Sequence, residues 1–255
     1  MPKQTDAEKF PFCVCFSFCR LTYIFKYAKI KIIKILITQR FYTDYKETVM
    51  LRVERIFVMN MENAIRGARN PLNSWDRMDS YYDEDGNFVL GENDLSLAVR
   101  LAKAGSDHRK YLRQIMVSMD ITAPLYWWKE FDTYKVGTVA NSTSTMHKIQ
   151  AKKFSREDFS MEKLTGKAVE VMDAVIDCLE QERLKFIETK DKESWINMIQ
   201  LLPSSYNQMR TVTMNYEVLI NMYYARKSHK LSEWHTLCDA IKELPYADKL
   251  ILVKD

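Results

Sequence analysis

Two stretches of the chain combine the residue types that bind phosphates and heterocyclic bases. The first covers residues 123–130 and continues to a hydroxyl-rich segment at residues 141–144. The second covers residues 201–206 and continues along the chain to Arg226. Guanidinium, amide and hydroxyl groups donate hydrogen bonds to phosphate oxygens and to base edges. We therefore expect these two stretches to carry a binding site.

The polar residues of the second stretch have two interpretations. Arg226 is the best candidate for holding a base or a phosphate, and the alternative is a solvated helix cation whose loss costs ~0.5 kcal/mol or less. Asn215 and Asn221 lie six residues apart, and asparagine is a poor helix former. Two asparagines in one predicted helix therefore suggest a polar function, with surface placement as the alternative.

The polar residues of the first stretch lie at its end. Asn141 and Ser144 fall in a segment that can offer N–H and O–H donors to a phosphate, or can form an ordinary polar loop. Lys135 adds a single point charge rather than a bidentate fork. Trp127 and Trp128 are expected to pack their helix against the rest of the protein rather than stack on the ring of a ligand. The first stretch therefore predicts an anion-binding segment beside a packed helix.

Hydrophobic periodicity predicts the elements that position these residues. Strands are expected at residues 51–58 and 115–121, where apolar and polar residues alternate. Helices are expected at residues 93–104, 125–134, 195–202, 206–226 and 231–244, with a helical turn at 108–113 and a strong apolar stripe from Val169 to Leu179. Residues 137–147 are expected to form a loop. The pattern predicts one α+β domain, with a small antiparallel or mixed sheet packed with a large helical layer.

The first 49 residues differ in composition from the rest. They hold nine Lys/Arg and four Asp/Glu, a net charge of +5, whereas the whole chain carries +4. We predict that residues 1–49 are an extension outside the domain and that the domain covers residues 50–255. The remaining charge of −1 gives no basic surplus for nucleic acid. Neither apolar run in the extension approaches the ~20 residues of a membrane span, although a basic membrane-surface helix at residues 23–37 stays possible.

Motifs for other kinds of site are missing from the sequence. No GxGxxG or GxxxxGK loop occurs among its six glycines, which argues against common dinucleotide and P-loop sites. Cys178 and Cys238 lack a CxxC partner, so we expect buried free thiols, no metal site and a cytoplasmic protein.

Together the two stretches resemble the two signature regions of the flavin-dependent thymidylate synthases. The first family region enters a helix through Ala-Pro-aromatic, matched by Ala123, Pro124 and Tyr126. A Gln, an Arg-His-Arg triplet and a series of polar residues follow in the family. The corresponding residues here are Glu130, then Thr133, Tyr134 and Lys135, then Thr138, Asn141, Ser142, Ser144, Met146 and His147. The second family region is matched by Ile199, Leu202, Pro203, Tyr206, Asn215, Asn221 and Arg226, with His229 and Trp234 beyond.

The resemblance covers residues 50–245 and implies a function and a set of site residues. The family converts dUMP to dTMP by reductive methylation, with methylenetetrahydrofolate as carbon donor, FAD as hydride carrier and NADPH as flavin reductant. Family members are homotetramers whose sites use several chains. The resemblance implies pyrimidine nucleotide binding by Arg226, Ser144, Asn141 and Lys135. It implies FAD binding by His108, Asn215, Asn221 and His229.

The departures from the family pattern concern charge. Thr133, Tyr134, Met146 and Ile199 stand where the family has cationic or titratable groups. Glu130 and Glu217 place carboxylates where the family prefers neutral or basic groups. Each lost charge-assisted contact is worth about 1.5–3 kcal/mol. We therefore expect weakened synthase activity, with an inactive nucleotide- or flavin-binding module and a helical interaction protein as the alternatives.

Overall fold

The computed structural model describes residues 51–253. The proposed extension at residues 1–49 lies outside the described residues, and the domain boundary at Met50 stays a prediction.

A four-stranded antiparallel sheet forms the centre of the fold. Its strands are β1 (Arg52–Met59), β4 (Met116–Pro124), β5 (Val139–Ser142) and β6 (Asn207–Asn215), in the order β1-β4-β6-β5. A separate two-stranded hairpin pairs β2 (Tyr81–Tyr82) with β3 (Phe88–Val89). Because β4 and β6 occupy the two central positions, residues of both signature stretches run side by side.

Alternation of side chains explains the two central strands. Val117, Met119 and Ile121 of β4 are buried, and the residues between them are half-buried. Val212 and Met214 of β6 lie opposite Met119 and Val117 and are buried on the same face. This is the period-2 pattern of a strand with one face against a core.

Helices cover the buried face of the sheet. They are α1 (Met61–Ala68), α2 (Glu92–Lys103), α3 (Leu125–Phe131), α6 (Tyr216–Arg226), α7 (Ser232–Lys242) and α8 (Ala247–Leu250). A 3₁₀ segment at Arg109–Gln114 leads into β4. Trp127, Trp128 and Trp234 are fully buried in the core beneath these helices, so the two tryptophans of α3 pack in the core as predicted.

Two further helices form a hairpin with a hydrophobic cluster of its own. They are α4 (Lys167–Thr189) and α5 (Lys192–Leu201). Met172, Ile176 and Leu179 of α4 are buried there with Met198 of α5, which confirms part of the predicted stripe. Val171 is 52% exposed, so the stripe is narrower than its sequence suggests.

Two predictions of local structure are wrong. Residues 137–147 are not all loop, because β5 forms the edge of the sheet beside β6. Residues 206–226 are not one helix, because Asn207–Asn215 is a central strand and only Tyr216–Arg226 is helical. Pairing with β4 along nine residues supplies the backbone hydrogen bonds that override the helical interpretation.

Candidate functional site

The two signature stretches meet at Glu130 and Arg226. Glu130 lies at the end of α3 and Arg226 at the end of α6, and Arg226 Nη1 donates to Glu130 Oε2 at 2.8 Å. The same carboxylate oxygen accepts from Trp234 Nε1 at 3.0 Å and lies 3.3 Å from His229 Nε2. Glu130 therefore accepts from two donors in the C-terminal part of the chain, with His229 beside them.

The tautomer of His229 follows from its second contact. Its Nδ1 accepts a hydrogen bond from the backbone N–H of Leu231 at 3.2 Å. An accepting nitrogen carries no proton, so the single proton of the neutral ring lies on Nε2. His229 Nε2 lies 3.3 Å from Glu130 Oε2 but makes no hydrogen bond to it, so His229 is a neighbour of the carboxylate and not one of its donors.

Aromatic rings fix the guanidinium of Arg226. Its Cζ lies 4.5 Å from the centre of the Trp234 ring and 5.5 Å from that of Tyr134. Its Nε donates to the Tyr134 hydroxyl at 2.9 Å. The side chain is only 17% exposed, so Arg226 is not the solvated surface cation that was the alternative. Stacking and hydrogen bonds together hold it in one orientation.

A second arginine is also stacked on a tryptophan ring and paired with a carboxylate. Arg210 of β6 lies with its Cζ 4.3 Å from the centre of the Trp128 ring, and its Nη1 donates to Asp132 at 2.8 Å. Its Nε donates to Gln208 at 3.0 Å. Sequence reasoning missed Arg210, because it placed residues 206–226 in one helix. Arg210 interrupts the alternating pattern of β6, and that was the signal that could have found it.

The N-terminal end of α6 holds another candidate, Asn215. This residue is the N-cap rather than a helix-interior asparagine, and its side-chain oxygen accepts from Val218 N–H at 3.0 Å. A Cβ on Gly137 would lie 3.0 Å from Asn215 Nδ2, so the chain after α3 passes very close to this cap. The capping bond accounts for the polar side chain at this position.

Lys135 lies in a short segment between Tyr134 and Gly137, two residues that contact α6. Tyr134 contacts Arg226 at the C-terminal end of α6, and Gly137 approaches Asn215 at its N-terminal end. Residues 134–137 therefore include a contact with each end of α6, and the exposed Lys135 is part of this segment. An eleven-residue helix is about 16 Å long, so the segment connects two separate parts of the candidate site.

Asn141, Ser144 and Asn221 are exposed. Asn141 belongs to the edge strand β5 and pairs with Thr211. Ser144 follows that strand, and its hydroxyl oxygen accepts from the N–H groups of Met146 and His147. Within residues 51–253, none of these three side chains is hydrogen-bonded to Arg226 or to its partners Glu130 and Tyr134.

His108 is exposed and immediately precedes the 3₁₀ segment. Its neighbour Arg109 pairs with Glu217 in the first turn of α6, so His108 lies near the end of α6 that Asn215 caps. The structure therefore places His108 and Asn215 at one end of α6 and Arg226 and His229 at the other.

A buried acid–phenol contact joins α3 to α7. The Tyr126 hydroxyl donates to Glu233, which is 2% exposed and lies in the first turn of α7. Burial, followed by this hydrogen bond, raises the pKa of Tyr126 well above its usual range. With its pKa raised, Tyr126 stays a protonated donor to Glu233, and the contact between the two helices is structural.

The described residues offer neither a metal site nor a membrane span. Within residues 51–253, no group of three or more His, Cys, Asp or Glu side chains is placed to hold a metal ion. Over the same residues, no helix is both long and apolar enough to cross a bilayer.

Comparison with known proteins identifies the fold. No protein-family model matches the sequence, and no curated protein matches it. Two structures of the flavin-dependent thymidylate synthase of Helicobacter pylori, both with FAD and dUMP, match with TM-scores of 0.56 and 0.58 at 18% identity. They cover 78% and 80% of this chain and 96% and 99% of those chains.

A third solved structure extends the comparison. A UMP/dUMP methylase, PolB from Streptomyces cacaoi, bound to 5-Br dUMP, matches with a TM-score of 0.55 at 13% identity and covers 79% of this chain and 91% of that one. At these identities the likeness establishes the fold. The chain thus has a flavin-dependent thymidylate synthase-like fold, and the predicted α+β class is confirmed.

Proposed function

We propose that this chain is a thymidylate synthase-like protein that binds a pyrimidine nucleotide together with FAD, with a weakened capacity to methylate dUMP. The supporting observation is the meeting of Glu130 and Arg226 from the two signature stretches. This contact lies within a fold shared with proteins that bind FAD and dUMP. The nucleotide-binding residues of the proposal are Arg226, Lys135, Asn141 and Ser144.

Only some polar side chains of the candidate site are free to bind the diphosphate of a cofactor. Lys135 and His108 are exposed and can contact a diphosphate, and Asn221 offers an exposed amide. Arg226 and Arg210 do not fit a diphosphate, because each already pairs with a carboxylate. The FAD proposal therefore assigns the diphosphate to His108, with polar contacts from Asn215, Asn221 and His229, and it keeps Lys135 for the phosphate of the nucleotide.

The chemistry of the proposal follows the family that the sequence resembles. Reduced FAD supplies a hydride, and methylenetetrahydrofolate and NADPH are the co-substrates. The residues of this chain would orient the base and hold the phosphate groups. Loss of the basic triplet at Thr133 and Tyr134 leaves Lys135 as the one cation at those three positions, which is why activity is expected to be weak.

A homotetramer in the cytoplasm completes the proposal. Residues 124–134 and 206–226 offer little apolar surface to a partner, because their large apolar side chains are mostly buried within the chain. Exposed Val171 and Leu184 on α4 support an oligomer instead. The free thiols of Cys178 and Cys238 are consistent with a reducing compartment.

Two measurements test the proposal at different levels. Calorimetric titrations with FAD and with dUMP, the latter in the presence and absence of FAD, test binding. The proposal expects heat of binding for each ligand. Growth of a thymidine-requiring bacterial strain that expresses the chain tests activity. Poor growth without thymidine is expected, and robust growth would show that the missing triplet does not matter.

The second candidate is a binding module that has lost catalysis. The observation that favours it is the pairing of both stacked arginines with carboxylates at the end of α3, Glu130 and Asp132. Such pairing leaves two of the central cations neutralised inside the chain. Binding of FAD and dUMP with no detectable dTMP would decide for this candidate.

A further inference from the structure

The unused hydrogen-bonding groups of the Glu130–Arg226 pair indicate what a ligand must offer. Glu130 Oε2 and Arg226 Nη1 bind each other, and Arg226 Nε binds Tyr134. Glu130 Oε1 and Arg226 Nη2 make no hydrogen bond to any residue in the range 51–253. The pair therefore leaves an acceptor atom, Glu130 Oε1, beside a donor nitrogen, Arg226 Nη2, with no net charge.

We infer that Glu130 is a specificity-determining residue that acts as an internal competitor for anions at Arg226. The pair takes an uncharged ligand edge with a hydrogen-bond donor beside an acceptor, and it rejects a phosphate group. This inference rests on the proposed function, since it assigns the base rather than the phosphate of a nucleotide to Arg226. The phosphate must then be held by other groups, such as Lys135.

Electrostatics supports rejection of an anion. A phosphate oxygen that approached Arg226 Nη2 would also approach the Glu130 carboxylate, so attraction and repulsion would largely cancel. His229 adds no compensating charge in this arrangement, because its Nδ1 accepts the backbone N–H of Leu231 and so carries no proton. A neutral ring edge meets no such repulsion, and the partly buried site strengthens the hydrogen bonds that it forms.

Glu130 cannot easily move aside to admit an anion. Its Oε2 is held by Arg226 and by Trp234, whose ring is fully buried. Withdrawal of the carboxylate would leave the indole N–H of Trp234 without its acceptor, and an unpaired buried donor is unfavourable. The competitor is therefore a fixed part of the site and not a mobile gate.

A charge-neutral replacement tests the inference directly. The Glu130→Gln variant keeps the size of the side chain and an oxygen acceptor for Trp234, and it removes the negative charge. Binding of inorganic phosphate is followed by calorimetry and by the fluorescence of the tryptophans, since Trp234 stacks on Arg226. We expect the variant to bind phosphate at least about tenfold more tightly than the unmodified chain.

Two matched variants show whether the gain belongs to this site. Glu180→Gln makes the same chemical change at a carboxylate that pairs with Arg183 on α4, and it should leave phosphate affinity unchanged. The double variant Glu130→Gln, Arg226→Ala should lose the gain. Equal phosphate affinity in Glu130→Gln and the unmodified chain overturns the inference, as does a gain that survives loss of Arg226. If Glu130→Gln does not fold, Glu130→Ala provides the same comparison.

Nucleotide ligands separate this inference from the proposed function. The affinity ratio of dUMP to 2′-deoxyuridine should rise at least about tenfold in Glu130→Gln relative to the unmodified chain. An unchanged ratio with clear binding of both ligands overturns the inference alone. Failure of the unmodified chain to bind either ligand overturns the proposed function, and the phosphate measurement then still decides whether Glu130 competes for anions.

Discussion

Arg109 and Glu217 form a two-point ion pair at the edge of the core, with Nε and Nη2 of the guanidinium each 2.9 Å from a carboxylate oxygen. The two side chains are only 8% and 11% exposed. The pair joins the 3₁₀ segment before β4 to the first turn of α6. Glu217 is therefore part of the scaffold at this end of α6, which accounts for a carboxylate at a position where the family prefers a neutral or basic group.

Loss of one partner of this pair should be strongly destabilising. Arg109→Met leaves Glu217 buried and unpaired, and we expect it to lower the free energy of unfolding by about 3–5 kcal/mol. Urea denaturation measures the change. The control is Arg156→Met, which breaks the exposed pair with Asp173 and should change stability far less, because solvent screens an exposed ion pair. Similar effects of the two variants would contradict the structural role of Arg109.

The close approach of Gly137 to Asn215 makes a second prediction. Gly137 has φ +77°, and a Cβ there would lie 3.0 Å from Asn215 Nδ2 and 3.2 Å from a methyl of Val218. Gly137→Ala should therefore destabilise the protein by more than backbone strain alone. Gly86 has φ +78° with nothing within 4 Å, so Gly86→Ala measures the strain term, about 1 kcal/mol. Equal losses in the two variants would show that residues 134–137 do not press on the α6 cap.

Arg226 should contribute more to stability than a surface cation does. Its packing on Trp234 and its bonds to Tyr134 and Glu130 are lost in Arg226→Ala, and the half-buried Glu130 keeps only the donor of Trp234. We expect the free energy of unfolding to fall by about 1–3 kcal/mol. A loss of ~0.5 kcal/mol or less in urea denaturation would restore the expectation from the sequence.

The two cysteines of the described residues should differ in reactivity. Burial raises the pKa of the Cys238 thiol to about 11, so its reactive thiolate is scarce below that pH. Cys178 is exposed on α4, so the expectation of two buried thiols is wrong for Cys178 and right for Cys238. Alkylation at pH 8, followed by peptide mapping, should label Cys178 rapidly and Cys238 only on unfolding. Equal labelling of the two peptides in the folded protein would contradict the burial of Cys238.

The sequence predicted much of the fold because its patterns were local. The alternation in residues 115–121 and the apolar stripe centred on Ile176 each identified the right element. Residues 207–215 were misassigned because a central strand obtains its stability from neighbours distant in sequence, here β4 and β5. Asn215 then looked like a helix-interior residue, although it is the cap that begins α6.

The candidate site was predictable only in part for the same reason. The resemblance brought Arg226 and Glu130 to attention separately, and only the structure shows that they neutralise each other. Arg210 carried no motif, and its pairing with Asp132 spans 78 positions along the chain. Charge cancellation of this kind depends on tertiary contacts that no spacing within one stretch can indicate.

Flavin retention by the purified full-length protein tests the central proposal most directly. The protein is saturated with FAD, freed of excess by gel filtration and examined by visible absorbance before and after addition of dUMP. We expect a retained flavin band whose shape or intensity changes when dUMP binds beside the ring. A colourless protein whose spectrum shows no flavin, and that dUMP leaves unchanged, would contradict the proposed function.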